Sequence, residues 1–389
     1  MNALIQPMRI LLHFNTLMKQ TYLSILVTVL LFTIQGCVSN KRFSKTIMVP
    51  STELKHQKYT GQCWSFASTS LLEAETIRFG YNVPELSSFF FVYFNYLENA
   101  KDYLINKGES RLNRGDLTFS VLEIFKNYGA VPESVYNGNL SGVLSKKQML
   151  ARMANENEMN DLIKTKLDSL IESKTEINSS LKIVEEILSD YIGKPPKTFK
   201  YKQEILTPKE YTNKYLLLNT KDYLELTSYS NHPFHKKIVL EIPANWRHKT
   251  YLNLPIEDFI NTIDNAINNG FTLAWDGDIG SKEGFNDNGY VKVKGEYENI
   301  KTISQEQRQS AYKRKTTTDD HNMHLVGITY DRDGLKFYIL KNTWGKNRGM
   351  DGIWYLSENY FRLRTISVTV HKDGIPNQIK EKLENENER

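Results

Sequence analysis

The hydrophobic positions of the chain change period near residue 220. Before that point they recur at helical spacing. Ala67, Leu71, Ala74 and Ile77 form one stripe, and Gly80 stands where a C-terminal cap belongs. Ser87 and Ser88 precede an apolar, aromatic stretch that runs to Ile105 and stops before Gly108. This predicts a second helix with a serine N-cap. Leu117, Val121, Phe125 and Tyr128 line a third, closed by Gly129 and Pro132. Residues 143–192 are charged, periodic and poor in breakers, and predict a further pair of helices that ends at Gly193-Lys194-Pro195-Pro196. After residue 220 the runs shorten to 238–242, 271–275, 290–293, 325–330, 337–340, 353–356 and 366–370, punctuated by turn residues, and read as strands. Asp331-Arg332-Asp333-Gly334 predicts a hairpin turn. Helices first and strands later predict an α+β fold in two lobes rather than repeated βαβ units.

The N-terminal residues follow neither pattern. Residues 22–34 are uncharged and mostly apolar, preceded by Lys19 and followed by Gln35-Gly36-Cys37. Such a stretch spans about 20 Å as a helix, short of a hydrocarbon core of roughly 30 Å. It reads as a secretory signal, with an uncleaved anchor as the alternative. Ile34-Gln35-Gly36-Cys37 resembles a bacterial lipobox, in which cleavage precedes the cysteine and the thiol carries diacylglycerol. On that resemblance residues 1–36 are a lipoprotein signal peptide, starting at Met1 or Met18, and 37–50 are a polar tether. Cys37 is then the lipidation site. It holds the protein to a membrane on the extracytoplasmic side of a bacterial cell envelope.

Composition adds exclusions. Among 389 residues, 24% are charged and 40% hydrophobic, which excludes wholesale disorder. Fifty basic and 45 acidic residues leave a net charge of +5, too weak a field to argue for a nucleic-acid partner. Two cysteines exclude a disulfide scaffold, so each needs another explanation.

The second cysteine, Cys63, follows Gly61-Gln62 and precedes Trp64-Ser65-Phe66 at the predicted start of the first helix. There the helix dipole favours the thiolate, the nucleophilic form. A cysteine nucleophile needs an imidazole beside it. His321 begins a predicted strand, and Asn342 ends the next, so the hairpin between them can bring the pair together. The side-chain oxygen of Asn342 can then fix the ring. His324 is the rival base, but strand alternation puts it on the opposite face from His321. His232 and His235 read as a loop rather than a metal pair, because Pro233 separates them and no third ligand is near. Asp276-Gly277-Asp278 reads as a turn and Arg114-Gly115-Asp116 as a capping sequence. Asp319 and Asp320 either bias the charge of His321 or stand in a loop.

The set Gln57…Cys63-Trp64, His321-Asn322-Met323 and Asn342-Thr343-Trp344 resembles the papain superfamily of cysteine peptidases in kind and order. Within it, the chain is similar to the bleomycin hydrolase and aminopeptidase C family. That similarity lies in Pro84-Glu85-Leu86-Ser87, Tyr128-Gly129-Ala130-Val131-Pro132 and Trp275-Asp276-Gly277-Asp278-Ile279-Gly280, besides the motifs above. The resemblance implies a papain-like domain over 51–375: a helical lobe (51–140) carrying Cys63, a helical insertion (141–200), and a mainly antiparallel β lobe (201–375) carrying His321 and Asn342. It implies Cys63 as nucleophile, His321 as acid and base, and Asn342 as its orienting partner. Gln57 and the backbone N–H of Cys63 form the oxyanion hole, with Trp64 and Trp344 as supporting residues and Trp344 covering the His–Asn bond. It also implies a peptide or protein substrate, no cofactor, and a homo-oligomer. The polar tail 376–389, expected to fray, does not match the family tail that restricts cleavage to free N-termini. Aminopeptidase, open-cleft endopeptidase, acyl transferase and catalytically inactive peptide-binding protein therefore all remain readings. About 20 residues between Cys37 and the Gln57 motif leave no room for an inhibitory prosegment.

Overall fold

A computed structural model describes residues 42–387, except 83, 113, 139–145 and 281–283. Cys37 and the signal segment lie outside the described residues. The helical lobe opens with α1 (Cys63–Arg78), α2 (Ser88–Ile105) and α3 (Thr118–Tyr128). Ser87 caps α2 by accepting from the Phe90 N–H, as its sequence position predicts. Gly129 ends α3 at φ +87°; a Cβ there would stand 2.4 Å from the Pro208 carbonyl, so only glycine fits. The insertion is α4 (Lys146–Glu172) and α5 (Ile177–Ile192), packed on α2 through Leu167, Val184 and Leu188. A hairpin of β2 (Phe199–Tyr201) and β3 (Glu204–Leu206) and the short α6 (Pro208–Tyr211) complete this lobe.

Helix α1 is buried on almost every side, yet it carries Ser65, Ser68, Thr69, Ser70 and Thr76. Their hydroxyls are satisfied locally or across the interface. Ser68 and Thr76 bond carbonyls one turn back, Ser65 bonds Ser88 O at 2.7 Å, and Ser70 meets His324 at 2.8 Å. Small polar residues let the helix sit close to both lobes without stranding polar atoms.

The second lobe is a ten-stranded sheet among the described residues. Besides β1 (Phe43–Met48) it comprises β4 (Tyr223–Thr227), β5 (Lys236–Val239), β6 (Thr250–Asn253), β7 (Leu273–Gly277), β8 (Tyr290–Val291), β9 (His321–Asp331), β10 (Lys336–Lys341), β11 (Ile353–Ser357) and β12 (Thr365–His371). The order is β5-β6-β4-β12-β7-β9-β10-β11-β8, with β1 added on β9. Along the order from β5 to β8, pairing is antiparallel except for β4 with β6 and β11 with β8. One face is covered by α7 (Ile256–Asn268), α8 (Gln305–Lys313), α9 (Glu358–Arg364) and α10 (Asn377–Asn387), with a core that includes Ile263, Trp275, Met323, Leu340 and Phe361.

Three sequence expectations change. Strand β1 and Val49 occupy part of the stretch read as a tether, and Val49 N bonds Val326 O at 2.8 Å. The tail read as fraying is mostly α10, held by buried Ile379 and by Lys382 on Asp258 at 2.8 Å. Asp276 and Gly277 end strand β7 rather than forming a turn.

Candidate active site

Cys63 is the first residue of α1, where backbone N–H groups have no helical partner. Its sulfur accepts from the backbone N–H groups of Trp64 and of Asn322, the residue after His321. The loop before it is fixed from the insertion. Glu156 on α4 accepts from Gly61 N at 2.9 Å and from Gln62 Nε2 at 2.6 Å, while Gln62 Oε1 accepts from Trp64 Nε1 at 2.9 Å.

His321 opens β9, and Asn342 directly follows the last residue of β10. The antiparallel register, with His324 opposite Lys341, brings them together as the hairpin predicts. His321 Nε2 lies 2.8 Å from Asn342 Oδ1. The same oxygen accepts the Thr343 N–H at 2.7 Å, which identifies it as the acceptor. Nε2 must therefore carry a proton. In a neutral ring Nδ1 is then the unprotonated nitrogen, ready to take one. Trp344 packs its ring 4.8 Å from that of His321, and is held in turn by Trp354 and Phe285.

Gln57 lies on a tight turn in which Lys58 and Tyr59 have φ of 48° and 64° and Thr60 N bonds Gln57 O at 3.1 Å. This strained conformation is held because Gln57 N bonds Thr343 O at 2.8 Å and His56 pairs with Trp344. The amide itself is oriented at both ends: Nε2 donates to Thr60 O and Oε1 accepts from the Thr343 hydroxyl. One amide N–H is left over from these bonds.

Burial sets the charge states. Part of Cys63 is open to the cleft, yet its packed surroundings push the thiol up to about 11. The two N–H bonds oppose this, and the nearby Asp276 and Asp320 carboxylates add to it. Burial likewise pulls His321 down to about 4, against the opposing bond from Asn342. Burial thus disfavours both charged forms, the thiolate and the imidazolium. The sequence position predicts a lowered thiol instead. A helix terminus contributes only about 0.3–1 kcal/mol, less than desolvation of the anion.

Thr343 and Glu156 belong to this site and were not found by sequence reasoning. Thr343 lies inside the Asn-Thr-Trp motif, so its position was the available signal; Glu156 lies on a charged helix with nothing to single it out. His324 turns away to Ser70, as alternation predicts. His232 and His235 each bond a separate carboxylate, Glu241 and Asp258, at 3.0 and 2.9 Å. Among the described residues no group of three or more His, Cys, Asp or Glu is placed to hold a metal ion.

Residues 32–389 match the Peptidase C1-like family. Aminopeptidase G of Lactobacillus delbrueckii subsp. lactis is 24% identical over 374 residues, covering 83% of this chain and 82% of that protein. Aminopeptidase C of Listeria innocua is 23% identical over 384 residues, covering 87% and 84%. The mitochondrial cysteine proteinase 1 of Saccharomyces cerevisiae is 23% identical over 390 residues, covering 88% and 80%. The crystal structure of PepW from Lactobacillus rhamnosis HN001 shares the fold with a TM-score of 0.65 at 20% identity, over 90% of this chain and 86% of that one. The papain-like, two-lobed α+β architecture and the match along most of the sequence have one consequence: the chain belongs to the Peptidase C1-like family and is a cysteine-type peptidase.

Proposed function

We propose that the protein is an aminopeptidase of the aminopeptidase C and bleomycin hydrolase type, working through Cys63, His321 and Asn342. The observation that carries the mechanism is the Asn342 oxygen, which accepts from both His321 Nε2 and Thr343 N and so leaves His321 Nδ1 as the base. As the Cys63 sulfur bonds the scissile carbonyl carbon, its proton passes to Nδ1. The resulting oxyanion is met by the spare N–H of Gln57 and the backbone N–H of Cys63. His321 returns the proton to the leaving amine as the C–N bond breaks. It then takes one from the water that cleaves the thioester and restores the thiol. Proton movement and charge relay stay within a buried site, where each hydrogen bond counts for more than in water.

The names of the similar proteins, aminopeptidases C and G, support cleavage at free N-termini. Hydrolysis of one peptide in free and N-acetylated form tests this. A strong preference for the free amine is expected, and equal rates would make the protein an endopeptidase. We also propose, from the residues around Cys37, that the protein is exported and lipid-anchored at that cysteine. Incorporation of labelled palmitate that survives in Cys63→Ala and disappears in Cys37→Ala is the expected outcome.

A further inference from the structure

Beside Cys63 lies a buried carboxylate oxygen that no donor among the described residues meets. Asp276 ends β7 on the sheet face that also carries Asn322, its partner across β9. Its Oδ1 accepts from Asn322 Nδ2 at 3.0 Å; its Oδ2 is buried without a partner in a residue only 5% exposed. The hydroxyls of Tyr229 and Tyr251 and the Oε1 of Glu225 are also buried without a partner. Both tyrosines lie within the electrostatic reach of Asp276 and Asp319. Burial first, and then the acidic neighbours Asp319, Asp320 and Glu225, push the Asp276 carboxyl well above the usual carboxylate range, so that a cation beside it is what would restore its charge. The nearby cations do not fill the gap. Arg308 lies over the Tyr229 ring but spends its donors on the carbonyls of Ser228, Arg362 and Ile366, and Arg111 acts on Asp319 at the rim.

Native folds seldom strand one such atom. Two stranded carboxylate oxygens, Asp276 Oδ2 and Glu225 Oε1, among acidic neighbours call for a group that brings N–H donors and positive charge. The cluster is within reach of the reacting sulfur. Asn322 donates its backbone N–H to Cys63 and its side chain to Asp276, and Asp276 and Asp320 act directly on the thiol. Asp320 is exposed and Asp319 partly exposed, so the acidic neighbours of Asp276 reach solvent; Asp319 also lines a separate cavity of about 680 Å³ with Asp161, Arg111, Arg114 and Lys164.

We propose that Asp276, with Asp319 at the rim, forms a subsite beside Cys63 for the ammonium or guanidinium of a substrate lysine or arginine side chain. Asp276 is only 5% exposed, so a cation at the end of a long side chain suits Oδ2 better than an α-ammonium held at the substrate backbone. The subsite rests on the peptidase reading above and gives it a substrate class.

The test uses peptides that differ at a single residue next to the scissile bond, carrying Lys, Arg, Leu or Glu, each free and N-acetylated. In the full-length enzyme, kcat/KM for Lys and Arg peptides should exceed that for Leu by at least about tenfold, whichever form is used. In Asp276→Asn that ratio should collapse to within about threefold. A wild-type enzyme that cleaves Leu and Lys peptides alike overturns the subsite. So does a basic preference unchanged in Asp276→Asn, or a preference that follows the free amine alone. Should Asp276→Asn fail to fold, Asp319→Asn is read in the same way. If no peptide is cleaved at all, the peptidase reading fails instead. The subsite is then judged by calorimetry. N-acetyl-arginine amide should bind the full-length protein at least about tenfold more tightly than N-acetyl-leucine amide, and equal affinities overturn it.

Discussion

His321 shows how one residue's chemistry is set by its neighbours. Its base character comes from the Asn342 oxygen, whose acceptor role is fixed by the Thr343 N–H. Asn342→Ala removes that orientation. It should lower kcat by roughly 10- to 100-fold with a smaller change in KM, measured on a free-amine peptide. Burial predicts the pH profile. The thiol is raised to about 11 and the imidazole lowered to about 4 because both charged forms are disfavoured. On a substrate without ionisable side chains, kcat/KM should hold through neutral pH and fall on the acid side near pH 4, where His321 becomes protonated and can no longer take the Cys63 proton. An acid limb at the ordinary histidine value of about 6.5 would contradict this. Cys63, His321, Asn342 and Gln57 could be singled out as candidates from residue type and order. Asp276 could not, because two acidic residues around a glycine look the same in a turn and at a strand end.

Among the elements, α1 carries most of the constraint, since it presents Cys63 at one end and binds both lobes along its length. Its Glu73 is fully buried, paired with Lys55 at 2.8 Å and accepting from Leu86 N at 2.6 Å. Glu73→Ala leaves the buried Lys55 ammonium with only the more distant Glu133 carboxylate and the Leu86 carbonyl, and should destabilise the fold by about 3 kcal/mol, read from the denaturant midpoint. Helices α2 to α5 were legible from spacing and caps. Helices α8 and α9 were missed because they are short and fall among strands; α7 was missed although Ile256, Phe259, Ile260, Ile263 and Ile267 recur at helical spacing, because only strands were read after residue 220. Strand β1 was missed for a different reason. Its sequence, Phe-Ser-Lys-Thr-Ile-Met, is half apolar without alternation and largely exposed, and its pairing comes from the β9 edge, where a Cβ on Gly327 would stand 2.3 Å from Ile47 O.

At the scale of the whole molecule, the site is assembled by parts far apart in sequence. The N-terminal segment brings Gln57, α1 brings Cys63, the β9–β10 hairpin brings His321 and Asn342, and the insertion reaches back through Glu156 to the loop before the nucleophile. The sequence read as helical then β-rich anticipated this division. It did not anticipate that the inserted helices touch the active-site loop, because a contact spanning 95 residues leaves no periodic trace. The central claim is that peptide hydrolysis runs through the Cys63 thiol. The most direct test is kcat/KM of purified Cys63→Ala beside wild type on one free-amine peptide. A fall of at least about a thousandfold with an unchanged fold is predicted, and activity retained in the variant would contradict it.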